Sequence, residues 1–186
     1  VGWSGTSSEL STCGTLGTML GGYGLFGPGA YVEKTVPLAA AHSAIRIRAT
    51  FNKIDEWRGR RALLYVDGGL AWMTQELRNC NGCNYQNGCG STQWRSGDDE
   101  VFTVDVTIAH VSAEAVVRFT TDMQEGDTGW WGVQDVMVST AVDHPSPPAP
   151  PSAPGLWAAP IKDHWPGAVG WSGTSSELST CGTLGT

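Results

Sequence analysis

AIRIRATFN, residues 44–52 of the chain, alternates between apolar and polar side chains. Successive side chains of a β-strand point to opposite faces, so this period of two predicts a strand with one buried face. The buried face would carry Ile45, Ile47, Ala49 and Phe51, and the solvent face Arg46, Arg48 and Thr50.

The same alternation recurs along the chain, whereas helical periodicity is hard to find. ALLYVDGG at 62–69 ends in a turn signal and is followed by LAWMTQEL at 70–77, which predicts a hairpin. We expect about seven short strands in two antiparallel sheets, an all-β sandwich of jelly-roll or immunoglobulin-like type. The other strand segments are YVEKTVPL (31–38), FTVDVTIAH (102–110), AVVRFTT (115–121) and VQDVMVSTA (133–141).

The first 18 residues, VGWSGTSSELSTCGTLGT, occur again without change at residues 169–186. We call residues 1–18 the opening segment and residues 169–186 the second copy. The offset of 168 residues is the size of a domain, which indicates tandem repeats rather than a solenoid. The alternative is an engineered duplication that adds a strand to close the fold.

Proline divides the chain into three parts. Residues 143–168 hold eight of the ten prolines, a density that excludes a sheet interior and favours polyproline II. About 25 such residues reach roughly 75 Å. We therefore predict a β-sandwich domain at 1–142, an extended linker at 143–168 and the start of the next repeat at 169–186.

Charge and cysteine content indicate the setting of the protein. A net charge of −7 argues against nucleic acid and anionic membranes as partners, and no apolar run approaches the roughly 18 residues of a membrane span. An even number of cysteines per unit, in a chain rich in Gly and Trp, favours disulfides and an extracellular location. These cysteines are Cys13, Cys80, Cys83 and Cys89, with Cys181 repeating Cys13 in the second copy.

The pairing of these cysteines is open. We expect one long-range bridge from Cys13 into the Cys80–Cys89 loop and one local bridge, with Cys83 pairing to Cys89 or Cys13. Zinc is the alternative, because Cys80 and Cys83 have ligand-like spacing, but a second such pair or a His pair nearby is missing.

Several short motifs, taken together, resemble a secreted β-sandwich module that is repeated in large surface proteins of ciliates and green algae, including the mastigoneme protein of algal flagella. The resemblance covers about residues 13–140, and it implies a module of an extracellular fibril or flagellar-hair-like filament. The matching residues are Cys13-Gly14, the glycine-rich stretch 21–27, Lys34-Thr35, His42, Lys53-Ile54-Asp55, Trp57, Val66-Asp67-Gly68, His110 and Trp131-Gly132-Val133.

The chain departs from that pattern at two acidic positions. Arg58-Gly59-Arg60 stands where the family has Asp-Gly-Glu, and Thr128-Gly129 replaces an acidic pair. Carboxylates at two loop ends can hold Ca²⁺, so we expect no calcium there in this chain, and no metal or cofactor is predicted. The carboxylates that remain for a different site are Asp55, Asp122, Asp127 and Asp135.

The linker is also a candidate for modification. SPPAPPSAP at 146–154 resembles the Ser-Pro and Ala-Pro segments that algae hydroxylate and O-glycosylate, and the unit has no Asn-x-Ser/Thr sequon. We therefore expect covalently attached glycans on this segment. The positions are Ser146, Pro147, Pro148, Pro150, Pro151, Ser152 and Pro154.

Three classes of function compete. An enzyme is disfavoured because no catalytic constellation is visible; His42 and His110 lie at a turn and a strand end, where capping of backbone groups is expected. A carbohydrate-binding module is the alternative, with Trp72, Trp94, Trp130 and Trp131 as stacking candidates unless they fill the core. We favour a structural filament of identical copies, in which repeats contact each other through Trp3, Trp157, Trp165 and Trp171.

Overall fold

The alternating stretch at 44–52 lies within the second-longest strand of the protein, and the strands around it are all antiparallel. The computed structural model describes residues 2–38, 41–78, 89–90 and 99–141. Its strands are β1 (Ser4–Gly5), β2 (Leu10–Cys13), β3 (Gly17–Gly21), β4 (Tyr31–Pro37), β5 (Ala44–Ile54), β6 (Arg58–Arg60), β7 (Ala62–Val66), β8 (Gly69–Met73), β9 (Leu77–Arg78), β10 (Glu100–Ala109), β11 (Glu114–Thr121) and β12 (Trp130–Ala141), with one 3₁₀ turn at Gly14–Leu16.

Two five-stranded sheets pack face to face, which confirms the predicted antiparallel β-sandwich. The first sheet has the order β1-β4-β11-β7-β8 and the second the order β10-β5-β12-β3-β2. Strands β6 and β9 form a separate two-stranded ribbon. No helix in the described part of the chain is long and apolar enough to cross a membrane.

The core lies between the sheets and is centred on aromatic rings. Trp131 of β12 stacks on Phe51 of β5, with ring centroids 5.3 Å apart, and Phe26 lies 4.6 Å from the Trp131 centroid. All three side chains are fully buried. The four apolar residues predicted for the buried face of 44–52 are buried as well. The alternation in the sequence therefore located this inner face.

The predicted hairpin is formed by β7 and β8. Val66 pairs with Gly69, so Asp67 and Gly68 make a two-residue loop. Both loop residues have positive φ, 50° and 80°, as a type I′ turn requires. Asp-Gly is a favoured pair for this turn because glycine adopts the left-handed region at no steric cost and aspartate tolerates it.

The expectation of about seven strands was too low. The seven segments named from the sequence correspond to β4, β5, β7, β8, β10, β11 and β12, and the structure adds five short strands. Strands of two to four residues leave too few alternating positions for the period to show, and the five residues of β3 begin and end with glycine. Two of the added strands, β1 and β2, lie in the opening segment, and they form an edge of each sheet.

Candidate functional site

An open pocket lies where three loops meet at one end of the sandwich. Its volume is about 570 Å³. The loops follow β3, β5 and β11, and we call their meeting place the aromatic pocket. It is lined by Tyr23, Asp55, Glu56, Arg58, Asp127, Thr128 and Trp130.

Two aromatic rings form one wall of this pocket. Tyr23 and Trp130 meet edge to face with centroids 5.5 Å apart. Tyr23 is 43% exposed and Trp130 is half-buried, so solvent reaches both. An aromatic surface beside polar groups is the arrangement that can stack on the apolar face of a sugar ring.

Trp57 holds the loops of the pocket together from below. Its fully buried indole donates a hydrogen bond from Nε1 to the Trp130 carbonyl oxygen at 3.1 Å. Gly129 lies against the same ring, and a Cβ at that position would come within 2.4 Å of the Trp57 Cδ1 atom. The loop before β12 therefore requires glycine at position 129, which accounts for that residue in packing terms.

Arg58 and Arg60 pair with carboxylates of this pocket. Arg60 Nε donates to Asp127 Oδ2 at 2.7 Å, and Arg58 Nε donates to Glu56 Oε1 at 3.3 Å. In the described ranges 2–38, 41–78, 89–90 and 99–141, no group of three or more His, Cys, Asp or Glu side chains is placed to hold a metal ion. Asp122 pairs with Arg61, and Asp135 lies in a bulge of β12.

Asp127 is held in its charged form. The Gln124 backbone amide donates to Asp127 Oδ2 at 2.7 Å, and this hydrogen bond, with Arg60 as a further cause, keeps the pKa of the carboxyl below its ordinary value. A depressed pKa stabilises the fold above the unfolded value of about 3.9. That contribution is lost as the pH falls through the folded pKa.

We expect Arg60→Met to raise the pKa of Asp127, because the variant removes the guanidinium that faces the carboxylate. A ¹³C NMR titration of the side-chain carboxyl measures the change. Arg58→Met is the matched control: Arg58 has the smallest effect on Asp127 and pairs with Glu56 instead. Equal shifts in the two variants would contradict this assignment.

A second polar cluster joins three motifs of the resemblance at the β7–β8 turn. His42 Nε2 and His110 Nδ1 are 2.9 Å apart, and His110 Nε2 is 3.0 Å from Asp67 Oδ2. The other Asp67 oxygen accepts a hydrogen bond from the Val116 amide at 2.8 Å. Both histidines are buried. The sequence did not indicate that the two rings contact each other or that Asp67 joins them, and the expectation that they cap backbone groups stays a prediction.

The opening segment is tied to the body by a disulfide. Cys13 bonds to Cys89 across 76 residues, with Cα atoms 4.9 Å apart. The bridge covers the outer face of the second sheet, where Cys89 packs with Met19 and Ile54. Because Cys13 and Cys89 bond to each other, the expected pairing of Cys83 with either of them was wrong. Cys80, Cys83 and Cys181 lie outside the described residues.

Asp99 connects this bridge to the aromatic pocket, a role that no pattern in the sequence indicated. It is fully buried, its Oδ1 accepts from the Asp55 amide at 3.0 Å, and its Oδ2 accepts from the Cys89 amide at 3.1 Å. Lys53 is also buried and donates from Nζ to the Asp55 carbonyl at 2.9 Å. The sequence alone could not show that Asp99 is buried, because a carboxylate in a charged, glycine-rich loop is usually exposed to solvent.

The tryptophans predicted as ligand or repeat contacts have different places. Trp131 fills the core and does not reach solvent, and Trp72 is half-buried and packs against the core. Trp130 alone of the described sugar-stacking candidates lines the pocket. Trp3 packs on Phe119 of its own domain at 6.2 Å. Trp94, Trp157, Trp165, Trp171 and the predicted glycosylation positions Ser146–Pro154 lie outside the described residues.

The fold and the bridge define the class: a disulfide-containing antiparallel β-sandwich module. No protein-family model matches this chain, and no curated protein matches it.

Among solved structures, the chain is similar to a family 35 carbohydrate-binding module from Clostridium thermocellum (8% identity, TM-score 0.39, 74% of this chain and 92% of that chain covered). It is also similar to a CBM36 carbohydrate-binding module in complex with calcium and xylotriose (10%, 0.32, 75% and 100%). A third similarity is to the catalytic domain of a GH87 α-1,3-glucanase (15%, 0.36, 81% and 28%).

Proposed function

We propose that this chain is a structural module of an extracellular filament, built from tandem β-sandwich units of 168 residues joined by Pro-rich linkers, similar to mastigoneme-type surface proteins. It acts by assembly with identical copies and not as an enzyme. One observation carries the proposal. The opening segment supplies an edge strand to each sheet and one cysteine of the disulfide, so it is an integral part of a sandwich.

That observation gives the second copy a structural meaning. Residues 169–186 repeat every side chain with which the opening segment builds β1, β2 and the bridge. A segment so poor in apolar residues does not bury enough surface to fold alone. It therefore serves as the opening of a further sandwich. In this proposal the linker 143–168 sets the distance between the two units, and its Trp157 and Trp165 contact them.

A chain of two 168-residue units followed by residues 1–18 tests this role. We expect it to unfold in urea at the midpoint of the single unit and to give two separate bodies in small-angle X-ray scattering. Trp157→Ala with Trp165→Ala should widen the spacing between the bodies and leave the midpoint unchanged. A second unit that does not fold would contradict the tandem role.

The glycan part of the proposal has its own test. Material from the native source, expected to be extracellular, should carry hydroxyproline-linked or serine-linked sugars between Ser146 and Pro154. Glycans on such a segment would stiffen the extended chain and shield it from proteases. Peptide mass spectrometry that finds only unmodified prolines and serines there would contradict it.

Carbohydrate binding is the second candidate function, and the Tyr23–Trp130 wall of the aromatic pocket favours it. Stacking contacts of this kind contribute about 0.5–1.5 kcal/mol, up to about tenfold in Kd. We expect Trp130→Ala to weaken oligosaccharide binding by that factor in isothermal titration calorimetry. Tyr31→Ala is the control, because Tyr31 stacks under Arg118 on the other sheet. No binding by the unaltered chain would remove this candidate.

A further inference from the structure

The opening segment is held to the body mainly by backbone hydrogen bonds. The Thr6 amide donates to the Tyr31 carbonyl at 2.9 Å, and the Gly21 amide donates to the Glu9 carbonyl at the same distance. Ser4 and Gly5 pair with β4, and Leu10–Cys13 pair with β3. Bonds of this kind are a template that any strand of suitable sequence can use.

Its side chains bury little apolar surface. Leu10 is 68% exposed, and Trp3 is half-buried against Phe119. An open pocket of about 630 Å³ lies between residues 2–10 of the segment and strands β3 and β12, and its lining includes Trp3, Leu10, Leu20 and Val136. Without the disulfide, the segment is therefore held weakly and can be displaced from its edges.

The second copy carries the same groups. Ser172-Gly173 corresponds to β1, Leu178–Cys181 to β2, and Trp171 to Trp3. Replacing the opening segment by the second copy exchanges each contact for an identical one. Which of the two segments occupies the sheet edges is thus set by their local concentrations rather than by a difference in affinity.

The proline content of the linker bears on which body the second copy can meet. A Pro-rich spacer of 25 residues in polyproline II, as the sequence predicts, would span roughly 75 Å, whereas a sandwich of this length is roughly 40 Å across. A spacer of that length would let the second copy reach another molecule.

We propose that the sheet edges that hold the opening segment also accept the second copy of another molecule of this chain, in a strand exchange locked by a bond between Cys181 of the donor and Cys89 of the acceptor. The Cys181 thiolate attacks the Cys89 sulfur, the Cys181–Cys89 bond forms as the Cys13–Cys89 bond breaks, and Cys13 leaves as a thiolate that takes up a proton. No net oxidation occurs. The inference deepens the proposed filament role, on which it rests only in treating the two copies as structurally equivalent.

The 186-residue chain with Cys13→Ser tests whether the sheet edges accept the second copy, in a buffer with oxidised glutathione that supplies the oxidant for a bond between the Cys89 and Cys181 thiols. We expect covalent oligomers on non-reducing gels that increase with chain concentration, and a Cys89–Cys181 peptide pair by mass spectrometry. Mixing two isotopically labelled preparations should give pairs with one partner from each. Cys13→Ser with Cys181→Ser is the control and should stay monomeric. A Cys89–Cys181 bond confined to single chains, or the absence of that bond, would overturn the proposal.

A second measurement does not depend on the folding of a variant. The unaltered chain is incubated in a glutathione buffer with a labelled synthetic peptide, VGWSGTSSELSTCGTLGT, and mapped for a mixed disulfide at Cys89. A scrambled peptide that keeps its cysteine is the control. Capture of both peptides equally would show thiol reactivity without strand docking and overturn the exchange. The two-unit chain of the preceding section can still fold in that case, so the two proposals fail separately.

Discussion

Trp131→Ala is expected to lower the free energy of unfolding by about 4 kcal/mol, in the range found for buried Trp and Phe. The ring is fully buried and in contact with Phe26 and Phe51, which belong to different parts of the chain. Its removal leaves a cavity at the centre of the sandwich that the rigid sheets cannot close. Urea unfolding followed by circular dichroism gives the free energy.

The neighbouring residue provides the control. Trp130→Ala removes the same side chain from the pocket wall, where it is only half-buried, and should cost roughly 1 kcal/mol. The Trp57 hydrogen bond survives in this variant because it goes to the backbone carbonyl of residue 130. Trp131→Phe should recover part of the loss, since it keeps a ring and removes Nε1, a buried donor without a partner among the described residues. Similar losses for Trp130→Ala and Trp131→Ala would contradict the assignment of Trp131 to the core.

Removal of the Cys13–Cys89 bridge is expected to cost about 4 kcal/mol, because the bond closes a long loop and restricts the unfolded chain. The variant combines Cys13→Ala, Cys89→Ala and Cys181→Ala, so that no unpaired partner of the bridge remains. Urea unfolding should show a lower midpoint, and limited proteolysis should cleave near the opening segment first.

Cys181→Ala alone is the control and should leave the midpoint unchanged. Thiol titration of the unaltered, unfolded chain should find Cys13 and Cys89 blocked. Free thiols at both positions, or zinc that is released when the chain unfolds, would contradict the disulfide.

Local pattern predicted a large part of this fold. The period of two in 44–52 and 102–110 identified strands and their buried faces, since each side chain partitions between core and water according to its own polarity. Asp67-Gly68 indicated its turn for a reason equally local, the φ values that the two residues tolerate. The short edge strands β1 and β2, and β3 beside β2, were missed because their order comes from pairing with neighbours.

The polar site was predictable in its members but not in its contacts. The sequence analysis named Arg60 as a departure from an acidic pattern and Asp127 as a carboxylate that remains. Their ion pair could not be predicted from local sequence, because the two residues are 67 positions apart. The same holds for Asp67 and His110, and for the choice of Cys89 over Cys83 as the partner of Cys13. The order of strands in the sheets decides which loops become neighbours, and that order depends on the whole chain.

By itself, the sequence determined that this protein is an antiparallel β-sandwich with an exact second copy of its first 18 residues. Hydrophobic alternation and turn chemistry act over a few residues, and the identity of two segments can be read without a structure. Only the tertiary structure decided that the opening segment spans both sheets, that Trp131 is core and Trp130 is pocket wall, and that Arg58 and Arg60 pair with carboxylates of the pocket. These are contacts between distant residues, and they exist only once the two sheets have packed.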